Sequence, residues 1–328
     1  MQRFSYAAPK SVKEAVSAIA VSDRAKFLAG GPTLVDLMKN GVEAPSRLID
    51  VTGISELNEF VIDGDELRFG ALVRMSTVAD HPDIKKRHPV LSEALWRGAS
   101  QQLRNMATLG GNVLQRTRCA YFRDVQYPCN KREPATGCSA VGGVNRGHAI
   151  LGTSDDCIAV YPGDWATALS ALDASFDTVS PRGARTISIH DLHVEPGRTP
   201  HIETTLAPDE MIVRTRIPAR NAYRASTYQK IRDRASYAFA LTSAAVALDM
   251  DGDHVRDARI AIGGVATKPW RARDAERSLI GFRLDAQIAH RAGELAYAGA
   301  RTTTQNAFRV PLGIATVEKA LMIARARA

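Results

Sequence analysis

The spacing of apolar residues at the start of the chain predicts alternating helices and strands. Apolar side chains recur at helical spacing over residues 12–20, directly after Ser11, a residue type that favours helix N-caps. A short apolar strand at 26–29 is followed by a Gly-Gly-Pro turn and a helix over 33–39. Residues 47–54 supply another strand, so this alternation indicates a small α/β layer.

The next stretch of the chain predicts a hairpin and more helices. Residues 56–73 carry apolar positions on either side of an Asp-Gly-Asp turn, a pattern typical of a β-hairpin. Helical spacing follows over 75–100, and another helix is predicted over 165–172 with a strand after it. Asp164 stands at the expected N-cap of that helix. Binding of a ribose or ribityl hydroxyl is the alternative role for Asp164, and the sequence does not separate the two.

A change of pattern near residues 218–222 marks a boundary between two domains. Beyond it, residues 224–234 and 237–266 show long strand patterns, and helical patterns follow. The three predicted helices lie around 274–279, 287–298 and 317–326. These elements indicate an antiparallel sheet backed by helices.

The patterns together predict an α+β fold with two domains, within the two or three domains expected for 328 residues. We expect the first domain at 1–220, with a small α/β lobe at about 1–55 and a larger lobe at 56–220. The second domain, smaller and also α+β, would occupy 221–328.

Two glycine turns are the first segments of the chain that indicate a ligand-binding site. Gly30 and Gly31 lead into a predicted helix, and Gly110 and Gly111 stand between Thr108 and Asn112. Glycine lets backbone N–H groups approach a ligand closely, so the two turns suit the two ends of an elongated phosphate-bearing molecule. Neither turn is a P-loop or a GxGxxG motif, and each is equally interpretable as a tight turn without a ligand.

All four cysteines of the chain lie within a predicted loop at about 115–158, of which residues 115–147 show no sustained apolar period. They are Cys119, Cys129, Cys138 and Cys157. Separate buried thiols are disfavoured by polar neighbours, and disulfides by the size of the chain and the lack of a secretory signal. The spacing lacks the CxxC pairs of structural zinc and the CxxCxxC run of ferredoxins. The sequence therefore predicts a four-cysteine metal site without identifying the metal.

Other candidate sites are weaker. His190 and His193 lie three residues apart without an evident third ligand, so we interpret them as structural or surface residues. A polar run at 230–236 opens the second domain, where its cations would either reach a phosphate or lie on a solvated strand face. The run includes Lys230, Arg232, Arg234 and Ser236.

Composition and charge exclude several classes of protein. Apolar residues make up 45% and charged residues 24% of the chain, which is ordinary for a globular protein. No apolar run approaches the roughly 18 residues of a membrane span. The net charge is +8, but Lys and Arg alternate with acids along the chain, which argues against nucleic acid as a partner. Without an apolar signal segment we expect assembly in the cytoplasm, with periplasmic export possible only when bound to a signal-bearing partner.

Several motifs spread over the whole chain resemble those of one family. They are LAGGPTL, ATLGGN, a Pro-x-Asp before a helix, and KIRDRASYAFAL at the start of the second domain. The chain resembles the FAD-binding medium subunits of the xanthine dehydrogenase or molybdenum hydroxylase family. The cysteine insertion is most similar to that of bacterial periplasmic aldehyde oxidoreductases, where it carries a [4Fe-4S] cluster. This resemblance implies a FAD-binding domain of the PCMH or vanillyl-alcohol-oxidase-like type, followed by a CO dehydrogenase flavoprotein type domain.

The resemblance also implies site residues. The residues expected to bind FAD are Lys26, Phe27, Leu28, Ala29, Gly30, Gly31, Pro32, Thr33, Leu34, Thr108, Gly110, Gly111, Asn112, Asp164, Ile212 and Lys230. The expected cluster ligands are Cys119, Cys129, Cys138 and Cys157. Pro32 departs from many relatives, and because proline lacks an N–H it removes one possible donor to phosphate.

The family resemblance implies a role in electron transfer. Substrate would be hydroxylated at a molybdenum cofactor in a large partner subunit, and electrons would pass through two [2Fe-2S] clusters of a small subunit to FAD here and then to an external acceptor. This role needs no catalytic acid or base in this chain. Two alternatives are a self-contained flavin oxidoreductase and a zinc-stabilised scaffold subunit.

Overall fold

The computed structural model describes the chain apart from Asp23, Asp63 and Arg220 and the side chains of Asn221 and Ala222. Within this part of the chain, the strands form sheets of three, five and four strands, each accompanied by helices. The predicted α+β class is therefore confirmed.

A three-stranded parallel sheet and two helices form the lobe at the start of the chain. Its elements are β1 (Ser5–Ala7), α1 (Val12–Ile19), β2 (Ala25–Leu28), α2 (Leu34–Lys39) and β3 (Arg47–Asp50). The strand order is β1-β3-β2. Ser11 caps α1 as predicted, because its hydroxyl accepts a hydrogen bond from the backbone N–H of Glu14 at 3.2 Å. Val16 and Ile19 are buried in the same core as Ile49, which fixes α1 on the sheet.

The larger lobe contains a five-stranded antiparallel sheet in the order β4-β5-β8-β6-β7. Its strands are β4 (Phe60–Val61), β5 (Glu66–Gly70), β6 (Ser175–Ser180), β7 (Gly183–Ser188) and β8 (Met211–Pro218). The predicted hairpin is the pair β4 and β5, with Phe60 opposite Phe69, whereas Asp63 of its turn lies outside the described residues.

Short helices cover this sheet and lead into the cysteine segment. They are α3 (Met75–Asp80), α4 (Pro82–Arg87), α5 (Pro89–Arg97), α6 (Gln101–Met106), α7 (Leu109–Val113), α8 (Ala120–Arg123), α9 (Asp164–Ala171) and α10 (Ile189–Leu192). Helix α9 is buried along its whole length, and its Trp165 packs near Phe69 of the sheet with ring centroids 6.4 Å apart.

The second domain is a four-stranded antiparallel sheet with helices. Its elements are β9 (Ser226–Ile231), β10 (Thr242–Asp251), β11 (His254–Gly263), β12 (Trp270–Arg271), α11 (Arg273–Arg277), α12 (Ala286–Ala296) and α13 (Arg309–Arg325). The last helix begins at Arg309, well before the predicted start at Val317. Pro311 in its first turn is compatible with this, because a proline there removes no helical hydrogen bond.

The sheet of the second domain lies between the helices of both domains. Alternate residues of β10 face opposite cores: Ala245 and Ala247 join the core of the first domain, and Val246 and Leu248 join the core that includes α13. Helices α5 and α9 therefore pack on one face of this sheet. Tyr228 lies on the same face of this sheet. Side chains of the second domain therefore point from this face toward the first domain.

None of the helices in the described part of the chain combines the length and the apolar character that a membrane span needs.

Candidate cofactor site

A cavity of about 1560 Å³ lies where the small lobe, the larger lobe and the start of the second domain meet. The structure brings to it all the residues expected to bind the flavin cofactor except Leu28. The side chain of Leu28 lies beside Gly31, on the other side of the turn. The cavity is thus surrounded by residues from distant parts of the sequence, such as Gly30, Asn112, Ile212 and Lys230.

The first glycine turn lies against the end of α6. A Cβ atom added at Gly30 would lie 2.0 Å from the carbonyl oxygen of Met106, and Gly31 has a φ of +86°. A side chain has no room at the first position and a strained backbone at the second. The turn therefore presents bare backbone to the cavity, and Pro32 contributes no N–H there.

The second glycine turn carries two polar atoms that have no partner among the described residues. These are the hydroxyl oxygen of Thr108 and the amide oxygen Oδ1 of Asn112, both buried at the cavity. Gly110 is held against Ala71, because an added Cβ would lie 2.9 Å from the Ala71 Cβ. Buried polar atoms are normally hydrogen-bonded, so these two fit the hydroxyl and phosphate groups of a polar ligand.

Asp164 does not cap α9, and that prediction is wrong. Gly163 occupies the N-cap, while Asp164 is the first helical residue. Its carboxylate binds the second domain instead: Oδ2 lies 2.8 Å from Lys230 Nζ, and the Tyr228 hydroxyl donates to Oδ1 at 2.7 Å. The tertiary contact prevails over the local one because Lys230, with its side chain only 1% exposed, needs a counter-charge.

The cluster formed by Asp164, Tyr228 and Lys230 also affects the protonation of Tyr228. Burial, and then the Asp164 charge, raise the pKa of Tyr228 well above its usual value, so its hydroxyl remains a donor. Lys230 donates a further bond to the carbonyl oxygen of Arg97 at 3.0 Å. The cluster therefore fixes α5, α9 and β9 to one another at the wall of the cavity.

A network of ion pairs along another wall was not predicted from the sequence. Arg116 binds Glu43 through Nη1 and Glu203 through Nε, each at 2.6 Å, and Lys131 binds Glu203 at 2.8 Å. Burial opposes the Arg116 charge, but Glu203 and Glu43 outweigh it and raise the pKa of Arg116. These residues belong to no motif and come from three separate parts of the chain, so only the fold shows that they meet.

The cysteine segment is irregular as predicted, apart from the single turn α8. Cys129 and Cys138 face each other in an isolated antiparallel bridge, and all four cysteines are free. Burial raises the pKa of Cys119 and that of Cys157 to about 11, and Cys129 and Cys138 lie near enough to both to raise them further. The four thiols thus gather in one region.

The four thiols supply one type of metal ligand. Thiolates are ligands both of structural zinc and of iron–sulfur clusters. Among the described residues, no three His, Cys, Asp or Glu side chains form a site for a single metal ion. His148 Nε2 lies 3.2 Å from Cys119 Sγ, a contact that no spacing rule predicts.

The two histidines interpreted as structural have protein partners. His190 Nε2 lies 2.8 Å from Asp173 Oδ1. His193 Nε2 lies 3.1 Å from the Val113 carbonyl oxygen, and the ring packs edge-on against Tyr161 at 4.5 Å. His193 also lines the cavity, and burial lowers its pKa to about 4, so it is neutral at physiological pH.

Residues 2–220 match a family model described as the FAD binding domain in molybdopterin dehydrogenase. The chain is a FAD-binding medium subunit of the molybdenum hydroxylase family. A second model, the CO dehydrogenase flavoprotein C-terminal domain, matches residues 226–322 of the subunit. The family resemblance inferred from the motifs is confirmed.

Individual relatives cover most or all of the subunit. It is 44% identical to the aldehyde oxidoreductase FAD-binding subunit PaoB of Escherichia coli K12, over 100% of both chains. It is 30% identical to the nicotine 6-hydroxylase medium subunit of Paenarthrobacter nicotinovorans, over 90% of this chain and 86% of that one. The structure of quinoline 2-oxidoreductase from Pseudomonas putida 86 matches with a TM-score of 0.76 and 27% identity, over 98% of this chain and 97% of that one.

Proposed function

We propose that this subunit is the electron-exit component of an aldehyde oxidoreductase. It would pass electrons from [2Fe-2S] clusters of a small partner subunit to FAD and then to an external acceptor. The observation that carries this proposal is the convergence of both glycine turns and the Asp164–Lys230 pair on one cavity. The full-length similarity to an aldehyde oxidoreductase subunit supports aldehydes as the substrates of the complex.

Different residues of the cavity would bind different parts of FAD. The backbone of Gly30 and Gly31 and the unpartnered atoms of Thr108 and Asn112 would bind the diphosphate region. Ile212 and the Asp164–Lys230 pair would line the end of the cavity that holds the flavin ring. FAD supplies the redox chemistry when bound, and the protein positions it and controls access of water and acceptor.

We further propose that Cys119, Cys129, Cys138 and Cys157 bind a [4Fe-4S] cluster. The support is the gathering of four free thiols in one loop, without disulfides among them. Since burial raises the pKa values of Cys119 and Cys157, bound iron would have to displace their protons. Arg116 and Lys131 lie in the same loop and on the cavity wall, which supports a position of this centre beside the flavin site.

The proposed partners follow from the same assignment. We expect a large subunit with the molybdenum cofactor and a small subunit with two [2Fe-2S] clusters, in a heterotrimer. Co-expression of this subunit with both, followed by mass determination of the purified complex, tests the assembly. A fully active, stable monomer of this subunit alone would contradict it.

The first experiment is anaerobic purification of the subunit with iron, sulfide, zinc and flavin measured on one sample. We expect about one FAD with about four iron and four sulfide per chain. Flavin with zinc instead of iron would refute the cluster and keep the flavin assignment. Zinc without flavin, in folded protein, would favour the scaffold alternative.

The substrate proposal needs the complete complex. We expect aldehydes to reduce its flavin under anaerobic conditions, and N-heterocycles such as quinoline and nicotine to do so far more slowly. Reduction by a heterocycle and not by any aldehyde would refute the substrate class and leave the electron-transfer role intact.

A further inference from the structure

Arg118 is a cation on the cavity wall without a carboxylate partner among the described residues. It is half-buried, and Nη1 donates to the carbonyl oxygen of Arg116. Its guanidinium carbon lies 5.1 Å from the ring centroid of Phe239.

The other buried and half-buried cations of the cavity are all neutralised. Arg123 binds Asp36 at 2.7 Å and Lys230 binds Asp164 at 2.8 Å. Arg116 and Lys131 share Glu203. Removing a charge from water is costly unless an opposite charge compensates it, so an anionic ligand in the cavity would stabilise the charge of Arg118.

The position of Arg118 indicates what supplies that charge. It lies six positions after Asn112, on the segment that leaves the second glycine turn and stays near it, since Gln115 Nε2 donates to the Asn112 carbonyl oxygen at 3.0 Å. It lines the cavity together with Asp36, in the first turn of α2, the helix that directly follows the first glycine turn. Arg118 therefore faces the same cavity as both glycine turns.

We propose that Arg118 binds the diphosphate of FAD through its guanidinium group. This inference rests on the proposed position of FAD in the cavity. A guanidinium group presents parallel N–H donors that match two phosphate oxygens, and such charge-assisted bonds are stronger than neutral ones. The Phe239 ring and the Arg116 carbonyl oxygen hold the group in place before the ligand arrives. The diphosphate carries the negative charge that the protein does not supply.

The test measures flavin binding rather than turnover. The full-length subunit, freed of flavin, is titrated with FAD, FMN and riboflavin, and binding is followed by flavin fluorescence. In Arg118→Gln we expect FAD affinity to fall about 10- to 100-fold, as for loss of a hydrogen-bonded charged partner. Riboflavin affinity should stay the same, because riboflavin has no phosphate, and FMN should lose less than FAD.

Arg146→Gln is the matched control. Arg146 belongs to the same loop and also packs over an aromatic ring, that of Phe308 at 4.8 Å, but it lies outside the cavity. Its FAD affinity should equal that of the wild type. Arg118→Lys keeps the charge without the paired donors, so it should bind FAD with an intermediate affinity and riboflavin normally.

The outcomes separate this inference from the proposed function. Wild-type protein that binds no FAD would refute the function itself. Wild-type binding with unchanged FAD affinity in Arg118→Gln would overturn the inference alone. An equal loss for FAD and riboflavin would place the guanidinium at the ring and also overturn it. If circular dichroism shows that Arg118→Gln is unfolded, Arg118→Lys decides: equal affinity for FAD in Arg118→Lys and wild type would overturn the inference.

Discussion

At the scale of single residues, the site depends on positions where only one side chain fits. Gly30 lies against the backbone of Met106 and Ala107, which cannot move away as the end of a flexible side chain can. Asp164 and Lys230 neutralise each other in a place where neither charge reaches water freely. Such positions define the shape of the cavity before any ligand binds.

Gly30→Ala should damage both stability and flavin binding. The new methyl group would lie 2.0 Å from the Met106 carbonyl oxygen, so α6 or the turn must shift. We expect a loss of about 1–3 kcal/mol in the free energy of unfolding, as for other overpacked sites, and a lower flavin content after purification. Urea denaturation of flavin-free protein and absorbance of the purified protein measure the two effects.

Gly142→Ala provides the comparison for this change. A Cβ at Gly142 meets nothing within 4 Å, and its φ is not positive, so the variant should resemble the wild type. If Gly30→Ala and Gly142→Ala both keep wild-type stability and flavin content, the first turn does not have the tight packing described.

The sequence predicted these residues unevenly, and the reason is the range of the signal. Gly30, Gly31, Gly110 and Gly111 stand in short motifs, so their roles are visible locally. Asp164 also looked local, as an N-cap, but its partners Tyr228 and Lys230 lie more than sixty positions away. Arg118 stood out in the sequence only as a polar neighbour of Cys119, because the absence of a counter-charge is a property of the folded site.

At the scale of elements, contacts with the second domain fix the cysteine segment, residues 115–158, which is called the cysteine loop below. The backbone N–H of Asn145 donates to Gln305 at 3.0 Å, and the Thr303 hydroxyl donates to Asn145 Oδ1 at 2.7 Å. Arg309, at the start of α13, donates to the carbonyl oxygens of Arg146 and Gly264 at 3.0 and 2.5 Å. An otherwise irregular segment thereby gains fixed contacts.

Arg309→Met should loosen the loop while leaving the rest of the fold in place. The buried carbonyl oxygen of Gly264 and the partly buried one of Arg146 would lose a donor. A buried group left unsatisfied costs about 1–3 kcal/mol. We expect a lower melting temperature and, for the proposed cluster, faster loss of iron to a chelator from the purified subunit. Arg325→Gln, which changes a partly exposed ion pair with Asp253 at the other end of the same helix, should have a small effect on both. Equal chelation rates in Arg309→Met and wild type would contradict the anchoring role.

The order of elements was largely predictable, whereas the start of α13 was not. Strands and helices with a clear period, such as β10, β11 and α1, follow the sequence pattern. The first two turns of α13 are fixed by the buried side chain of Arg309, which contacts the cysteine loop. A periodicity argument gives no reason to place an arginine inside a core.

At the scale of the whole molecule, acid should weaken the fold through two buried histidines. Burial lowers the pKa of His88 and that of His193 to about 4, below the usual 6.5. Between these values the unfolded chain binds protons that the folded chain excludes, so stability falls as the pH decreases from about 6.5 to about 4. Below that range both states are protonated, and these groups add no further loss.

We expect each histidine to contribute up to about 3 kcal/mol of this loss. Urea denaturation at pH 7 and pH 5 measures the part of this loss that develops above pH 5, up to about 2 kcal/mol for each histidine. Most carboxylates remain ionised in both states over that range. His193→Gln keeps a donor for the Val113 carbonyl oxygen and should reduce the difference between the two pH values. An unchanged difference in both His193→Gln and His88→Gln would show that other groups cause the acid sensitivity.

The anchoring of the cysteine loop also sets an order of events during synthesis. Asn145 and Gln305, which bind each other, are separated by 160 positions. At about 5–20 residues per second, a ribosome needs on the order of ten to thirty seconds to make the residues between them. During that interval the thiols have left the ribosome without the contacts that enclose them. For the proposed cluster, iron loading and protection from oxidation are therefore tasks for the period after α13 is made, when that helix closes the loop.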